Sequence, residues 1–380
     1  MSKKQNIIWF VIILVLLIVG IVYVISKPKQ ASGPIILGFV APLSGDAASY
    51  GETERNSTKL AVDEINSNGG INGRPISVVY EDGKCNGKDA TSAAQKLINV
   101  DGVKIILGGM CSSETLAIAA VAEPARVLVL SAFSSSPKIT TAGDYIFRSS
   151  PSDDDIAKVD ANYIASKYKS VAIISENTDY SQGVRSIMKS IFQEKGVRVV
   201  SDEVYGGAGI SSTDFHGIIQ NIRIAKPDAI YINSQTGKAG GLIVKQINQL
   251  GLKIPLLGNY SLASTDAANV AGDLLEGMIV SDSTSLSDKG EKLLAKYKET
   301  FKTDPASNYE MGASYDRVYI FARAIAAVGD DTNEIKDYLY SMKNFDGAVG
   351  SYHFDKNGDV VGIGFSNYLI KDGKEVSITK

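Results

Sequence analysis

Gly108-Gly109-Met110-Cys111-Ser112-Ser113-Glu114-Thr115 joins the apolar run Val103-Lys104-Ile105-Ile106-Leu107 to the Ala- and Leu-rich stretch Thr115 to Ala122. The first run has the look of a buried strand, and the stretch that follows is helical in character. The two glycines let the backbone turn tightly and come close to a ligand. Ser112 and Ser113 are good helix N-caps. A helix start presents unpaired N–H groups and the positive end of the dipole, a setting that suits a carboxylate or phosphate. The same residues also fit an ordinary capped helix after a strand. The stretch therefore fixes strand–turn–helix first and leaves anion binding open. Glu114 would repel a carboxylate if it turned inward, so it is expected to face solvent.

The unit repeats on both sides. Upstream, Ile35 to Ala41 reads as a strand ending in the turn Pro42-Leu43-Ser44-Gly45, and Ala48-Ser49-Tyr50-Gly51 opens a helix over Glu52 to Asn66. Asn68 to Gly73 has glycine turn chemistry. Ile76 to Tyr80 is a second strand and Asp89 to Asn99 a helix. Downstream, Val127 to Leu130 is a strand that empties into Ser131-Ala132-Phe133-Ser134-Ser135-Ser136-Pro137. This alternation means a parallel sheet with helices on both faces, and in such sheets ligands sit beyond the carboxyl ends of the strands. Tyr50, Ser112 and Ser135 all lie just past such ends and could converge.

Tyr145 to Arg148 and Pro151-Ser152-Asp153 interrupt the rhythm, and a second series begins. Helices over 156–168, 184–194, 217–223 and 240–250 alternate with strands over 171–174, 197–204, 228–232 and 254–257. Tyr180, Gln235 and Tyr260 fall in loops just past strand ends. Gly277 to Val280 crosses back, helices over 289–301, 313–328 and 333–342 belong to the first lobe, and 349–354 and 361–370 finish as strands. The expected architecture is α/β: two doubly wound parallel-sheet lobes joined by a three-crossing hinge around a cleft. The lobes are assigned as 34–148 plus 283–355 and 149–282 plus 356–380, with crossings near Arg148 to Pro151, Val280 to Ser285 and Lys356 to Val361.

Composition narrows the function. The chain has 380 residues and a formal charge of −3, and nothing in that balance asks for nucleic acid. Two His, His216 and His353, and two Cys, Cys85 and Cys111, make no convincing metal cluster. Cys111 with either His is the sole candidate nucleophile–base pair, and surface or core roles suit both His better. No enzyme activity and no cofactor are expected. The first 33 residues stand apart: Lys3 and Lys4 precede nineteen apolar residues, Ile7 to Ile25, and then Ser26-Lys27-Pro28-Lys29. That length nearly spans a hydrocarbon layer, and no small-residue cleavage pattern follows closely. Residues 1–33 read as an uncleaved transmembrane signal anchor and linker with the body outside the cytoplasm. The alternative is a cleaved signal peptide and a secreted or periplasmic body.

With these residues in place, the chain resembles the periplasmic binding proteins of the leucine/isoleucine/valine type, over roughly residues 35 to 370. The ordered marks are Pro42-Leu43-Ser44-Gly45, Tyr50-Gly51, Asn68 to Gly73, Cys111-Ser112-Ser113, Tyr180-Ser181-Gln182-Gly183, Asp214-Phe215, Pro227-Asp228, Tyr315-Asp316 and Phe354-Asp355 with Gly358-Asp359. The resemblance implies a type I periplasmic-binding fold and a solute-capturing subunit of an ABC importer. The partners it implies are a small carboxylate ligand, foremost a branched-chain amino acid, and an ABC permease, with the protein a monomer. It implies ligand contact at Tyr50, Ser112, Ser113, Phe133, Ser134, Ser135, Tyr180, Gln235, Tyr260 and Tyr309. Ser112 and Ser135 would hold the carboxylate, Phe133 would offer a carbonyl, and Tyr50 and Tyr180 would close over the ligand. It also implies a Cys85–Cys111 disulfide, in keeping with an exported chain. Two departures matter: Tyr260 stands where leucine-type members place a glutamate for the ammonium group, and Gln235 where they place an aromatic. Asp179, Glu310 or Asp316 are the candidate substitutes for that charge. A 2-oxo acid, an aromatic acid or an amide is the alternative ligand, and a ligand sensor the alternative role.

Overall fold

The computed structural model describes residues 33–206, 214–283 and 286–378. The anchor expected over Ile7 to Ile25 lies outside them, and among the described residues no helix is long and apolar enough to cross a membrane. The first half builds β1 (Ile35–Ala41), α1 (Ala48–Ser67), β2 (Ile76–Asp82), α2 (Gly87–Asn99), β3 (Ile105–Gly108), α3 (Ser112–Ala122), β4 (Leu128–Ser131) and β5 (Ile146–Arg148). The strands form one parallel sheet in the order β2-β1-β3-β4-β5. β3 and β4 are buried throughout, as strands covered by helices on both faces must be. Residues 145–148, expected to break the rhythm, instead supply the edge strand β5. Helix α1 starts at Ala48 rather than Glu52, which places Tyr50 inside its first turn.

The second series follows as α4 (Asp153–Lys167), β6 (Ser170–Glu176), α5 (Asp179–Lys195), β7 (Arg198–Tyr205), α6 (His216–Ala225), β8 (Ala229–Asn233), α7 (Gly237–Gln249), β9 (Leu256–Gly258), α8 (Thr265–Ala271) and β10 (Ile279–Ser283). The chain then returns with α9 (Asp288–Phe301), α10 (Asn308–Val328) and α11 (Thr332–Ser341), a short antiparallel sheet of β11 (Phe345–Gly347), β12 (Gly350–Phe354) and β13 (Val360–Val361), and finally β14 (Phe365–Lys371) and β15 (Lys374–Ser377). The second sheet runs β15-β14-β10-β9-β8-β6-β7, parallel except for β14 and β15. The one strand expected over 361–370 is two, because Gly362 sits at φ +109°, outside strand geometry. β15, and α8 with its Ser264 cap, were not anticipated.

Helix α10 buries Val318, Phe321, Ala324 and Ile325 in one core with Leu37, Phe39 and Leu107 of the first sheet. The first sheet thus depends on residues more than two hundred positions away. The connections between the two sheets are tied at Arg148, which is fully buried. Its N–H donates to the Gly358 carbonyl at 3.0 Å. Its guanidinium donates to Asp359 Oδ1 at 2.6 Å, to the carbonyls of Ser135 and Ser136 at 2.8 Å each, and to Thr140 Oγ1 at 2.8 Å. Asp359→Ala leaves that guanidinium buried without its counter-charge and should cost about 3 kcal/mol of stability. Urea unfolding measures it, and a loss below about 1 kcal/mol would mean that Arg148 is held by its carbonyl acceptors alone.

Candidate functional site

In each sheet the strand order reverses once, between β1 and β3 and between β6 and β8. Such switch points open a crevice at the carboxyl ends of the strands. Tyr50 and Ser112 leave the first crevice, Tyr180 and Gln235 the second. The two edges meet: Gln235 Nε2 lies 3.2 Å from Cys85 Sγ, Lys138 pairs with Asp179 at 2.7 Å, and Ser49 Oγ donates to Asp266.

Glu114, expected to face solvent, is fully buried. Its carboxylate accepts the N–H groups of Cys85 at 2.9 Å, Met110 at 3.1 Å and Cys111 at 3.0 Å. Burial pushes its pKa up to about 8 against the pull of those donors. The helix cap is Cys111, and Ser112 is the first helical residue, contrary to the expected serine caps. Cys85 and Cys111 form a disulfide. Ser113 turns away from the cleft and donates to the Cys85 carbonyl at 3.1 Å.

Ser112, Phe133, Ser135, Tyr180, Gln235 and Tyr260, with Met110 and Cys111, line one cavity of about 10 Å³, room for about one water. Ser112 Oγ accepts the N–H groups of Ser135 at 3.3 Å and Ser136 at 3.1 Å. Its own proton meets no acceptor among the described residues and is left to donate into the cavity. Tyr260 stands edge-on to Phe133, with ring centroids 5.1 Å apart, and 5.6 Å from Tyr180. Besides Ser113, three more expected contacts are not among the lining residues. Tyr50 is buried behind Phe133, ring centroids 6.0 Å apart. Ser134 Oγ is taken up by the carbonyls of Gly109 and Met110. Tyr309 donates to the Ser149 carbonyl and lines a neighbouring chamber. A larger cavity of about 520 Å³, bounded by Leu293, Tyr315, Tyr319 and Phe345, includes none of the ten expected contacts, though Asp316 borders it.

None of the three substitute carboxylates lines the cavity either. Asp179 is spent on Lys138. Asp316 accepts the N–H groups of Ala348 at 2.8 Å and Val349 at 3.3 Å. Glu310 is buried, with Glu54, Arg317 and Asp266 as its charged neighbours. Asp153, at the first position of α4, does not line the cavity either but stands directly behind Ser135, close enough for its charge to act on Tyr180 and Tyr260, and sequence reading passed over it. Its N–H donates to the Ser135 carbonyl at 2.8 Å. A Cβ on Gly183, in the helix of Tyr180, would lie 3.7 Å from its Oδ2. It is fully buried, and neither oxygen has a partner at hydrogen-bonding geometry. Burial pushes its pKa up to about 8, offset in part by the nearby Ser135 hydroxyl and Arg148. The one legible signal was the Ser152-Asp153 pair, a helix cap followed by an acid. His216 is exposed beside Asp214 and His353 lies in β12, so neither forms a pair with Cys111, which is disulfide-bonded.

Two doubly wound sheets facing across a polar and aromatic crevice are an arrangement suited to holding a small solute. The chain belongs to the periplasmic binding protein family, whose sequence model matches residues 34–362. The leucine-, isoleucine-, valine-, threonine- and alanine-binding protein of Pseudomonas aeruginosa is 28% identical over 344 residues, spanning 90% of this chain and 91% of that protein. The Leu/Ile/Val-binding protein of Escherichia coli is 26% identical over 356 residues, 92% and 94% of the two chains. A crystal structure of the branched-chain amino acid transporter substrate-binding protein LivJ of Streptococcus pneumoniae, in complex with isoleucine, superposes with a TM-score of 0.81 at 27% identity, over 90% of this chain and 98% of that one.

Asp153 and Glu114 are both raised to about 8. Between the ordinary carboxyl range and pH 8 the folded chain therefore holds protons that the unfolded chain has released. Stability should fall as pH rises through that window, by up to about 1.4 kcal/mol per pH unit for each such group. Asp153→Asn should flatten the dependence and raise stability at pH 8. Urea unfolding of both proteins at pH 5.5 and 8 checks this; an identical slope in the variant would contradict it.

Proposed function

We propose that this protein is an extracytoplasmic solute-binding subunit that captures a branched-chain amino acid in the cleft and delivers it to an ABC permease. The observation that carries the reading is a pairing at one place. A hydroxyl with a proton to give, Ser112, faces the cavity, and a buried carboxylate without a partner, Asp153, stands behind Ser135. These match the two ends of an α-amino acid, and Phe133, Tyr180 and Tyr260 offer apolar walls to its side chain. The printed ligands of the Pseudomonas, Escherichia and Streptococcus relatives support the same class. A 2-oxo acid or aromatic acid is the second reading, favoured by Tyr260 at the position where the resemblance places a glutamate.

On this reading the lobes are 34–148 with 283–355 and 149–282 with 356–380, and they close on the ligand about the connections that Arg148 ties. Residues 1–33 anchor a monomeric body to the membrane, and N-terminal sequencing of the native protein that begins near Ala31 would reject the anchor. Hydrogen bonds to a charged group are worth about 1.5–3 kcal/mol. Ser112→Ala should therefore weaken L-leucine or L-isoleucine roughly ten- to a hundredfold. Asp153→Asn should weaken the amino acids and spare their 2-oxo relatives. Titration calorimetry with both ligand classes decides it: unchanged affinity in Ser112→Ala removes the site assignment, and tighter binding of the 2-oxo acids by the unaltered protein selects the second reading.

A further inference from the structure

The cleft as it stands is too full for its cargo. Its cavity of about 10 Å³ is far below the roughly 300 Å³ from which small-molecule pockets usually start. The largest side chain bordering it that is not fully enclosed is Tyr260, which is half-buried, whereas Tyr180 and Phe133 are buried. Tyr260 also borders a second space, a chamber of about 220 Å³ whose walls include Ala263, Ser264, Ala306, Ser307 and Tyr309. No other residue borders both.

The backbone beneath Tyr260 is fixed. It opens a 3-10 turn over Tyr260–Ala263 whose cap, Asn259, accepts the Ser261 N–H at 3.1 Å and donates to the Ser234 carbonyl at 2.9 Å. Ser261 and Leu262 are fully buried. What can move is the ring, which rests on Phe133, Tyr180 and Phe365 and keeps its hydroxyl beside those of Tyr180 and Ser135. The chamber's small and polar walls suit a phenol, whose apolar body carries a polar tip.

We propose that Tyr260 is a gate between the two spaces: an occupied cleft holds its ring in the chamber, and the room left there sets the largest side chain the protein accepts. This rests on the capture reading above. The competing possibility is that the sheets stay further apart around the ligand and the ring keeps its place. The two differ in whether filling the chamber matters, since the chamber is separate from the Ser112–Ser135 end of the cleft.

Ala263→Phe fills the chamber from its wall. In the full chain, calorimetry with L-leucine, L-isoleucine and 4-methyl-2-oxopentanoate should show at least a tenfold loss of affinity for whichever binds the unaltered protein. In a Tyr260→Ala background, where no ring needs the space, the same substitution should change affinity less than twofold. Tyr260→Ala alone should admit L-phenylalanine. Thermal unfolding verifies that each variant folds, and Ala263→Leu gives the same cycle at lower amplitude if the larger side chain is not accommodated. An Ala263 effect that is absent, or equal in both backgrounds, overturns the gate. If binding still depends on Ser112, the capture reading survives that failure. Failure of every probe to bind the unaltered protein overturns the capture reading and the gate together.

Discussion

One buried carboxylate organises the ligand end of the first sheet. Glu114 accepts three backbone N–H groups, one from the loop after β2 and two from the turn after β3. A carboxylate is costly to bury unless such donors surround it, and those donors would be costly to bury without it. The space is cut to fit: a Cβ on Gly83 would lie 2.2 Å from its Oε1, and one on Gly109 would lie 2.5 Å from its Cβ. The Cys85–Cys111 disulfide joins the same two loops a second time. Ser112 follows directly, so its hydroxyl inherits a fixed position instead of having to find one.

Arg148 does for the neighbouring loop what Glu114 does for this one. Its guanidinium gathers the Ser135 and Ser136 carbonyls while pairing with Asp359 on a later pass of the chain. The N–H groups of those same two serines point to Ser112 Oγ. The Ser112–Ser135 end of the cleft is therefore suspended between two buried groups, Glu114 held by backbone N–H groups and Arg148 by backbone carbonyls, Thr140 and Asp359. Such networks are rigid when complete, which suits a site that must hold donors in place with no ligand present.

The rest of the cleft is organised differently. Behind Ser135, neither oxygen of the buried Asp153 has a partner at hydrogen-bonding geometry, an arrangement that lowers stability and is tolerated where a ligand supplies what is missing. Tyr260 rests on its ring contacts above a fixed turn, with its hydroxyl beside those of Tyr180 and Ser135. Rigidity at the carboxylate end and give at the side-chain end are what a binder needs in order to recognise a common head group and still admit more than one side chain.

Much of this was legible in one dimension. Apolar runs alternating with capped helices fixed two parallel sheets, because strands covered on both faces must be apolar throughout and their crossovers must be helical. Position just past strand ends singled out Tyr50, Ser112, Ser135 and Tyr180, while the family resemblance drew attention to Tyr260 and implied the Cys85–Cys111 bridge. What sequence did not decide was direction and neighbourhood. Whether Glu114 faces water depends on glycines thirty residues away and beside it. Whether Tyr309 or Tyr50 reaches the cavity depends on how α10 and α1 pack. Whether any carboxylate stands near Ser135 depends on where α4 begins in space. Periodicity reports which face of an element is buried, but not which distant backbone that face meets. In this protein those long-range meetings, at Glu114, Arg148 and Asp153, are what shape the crevice that a common sheet topology leaves at its strand ends.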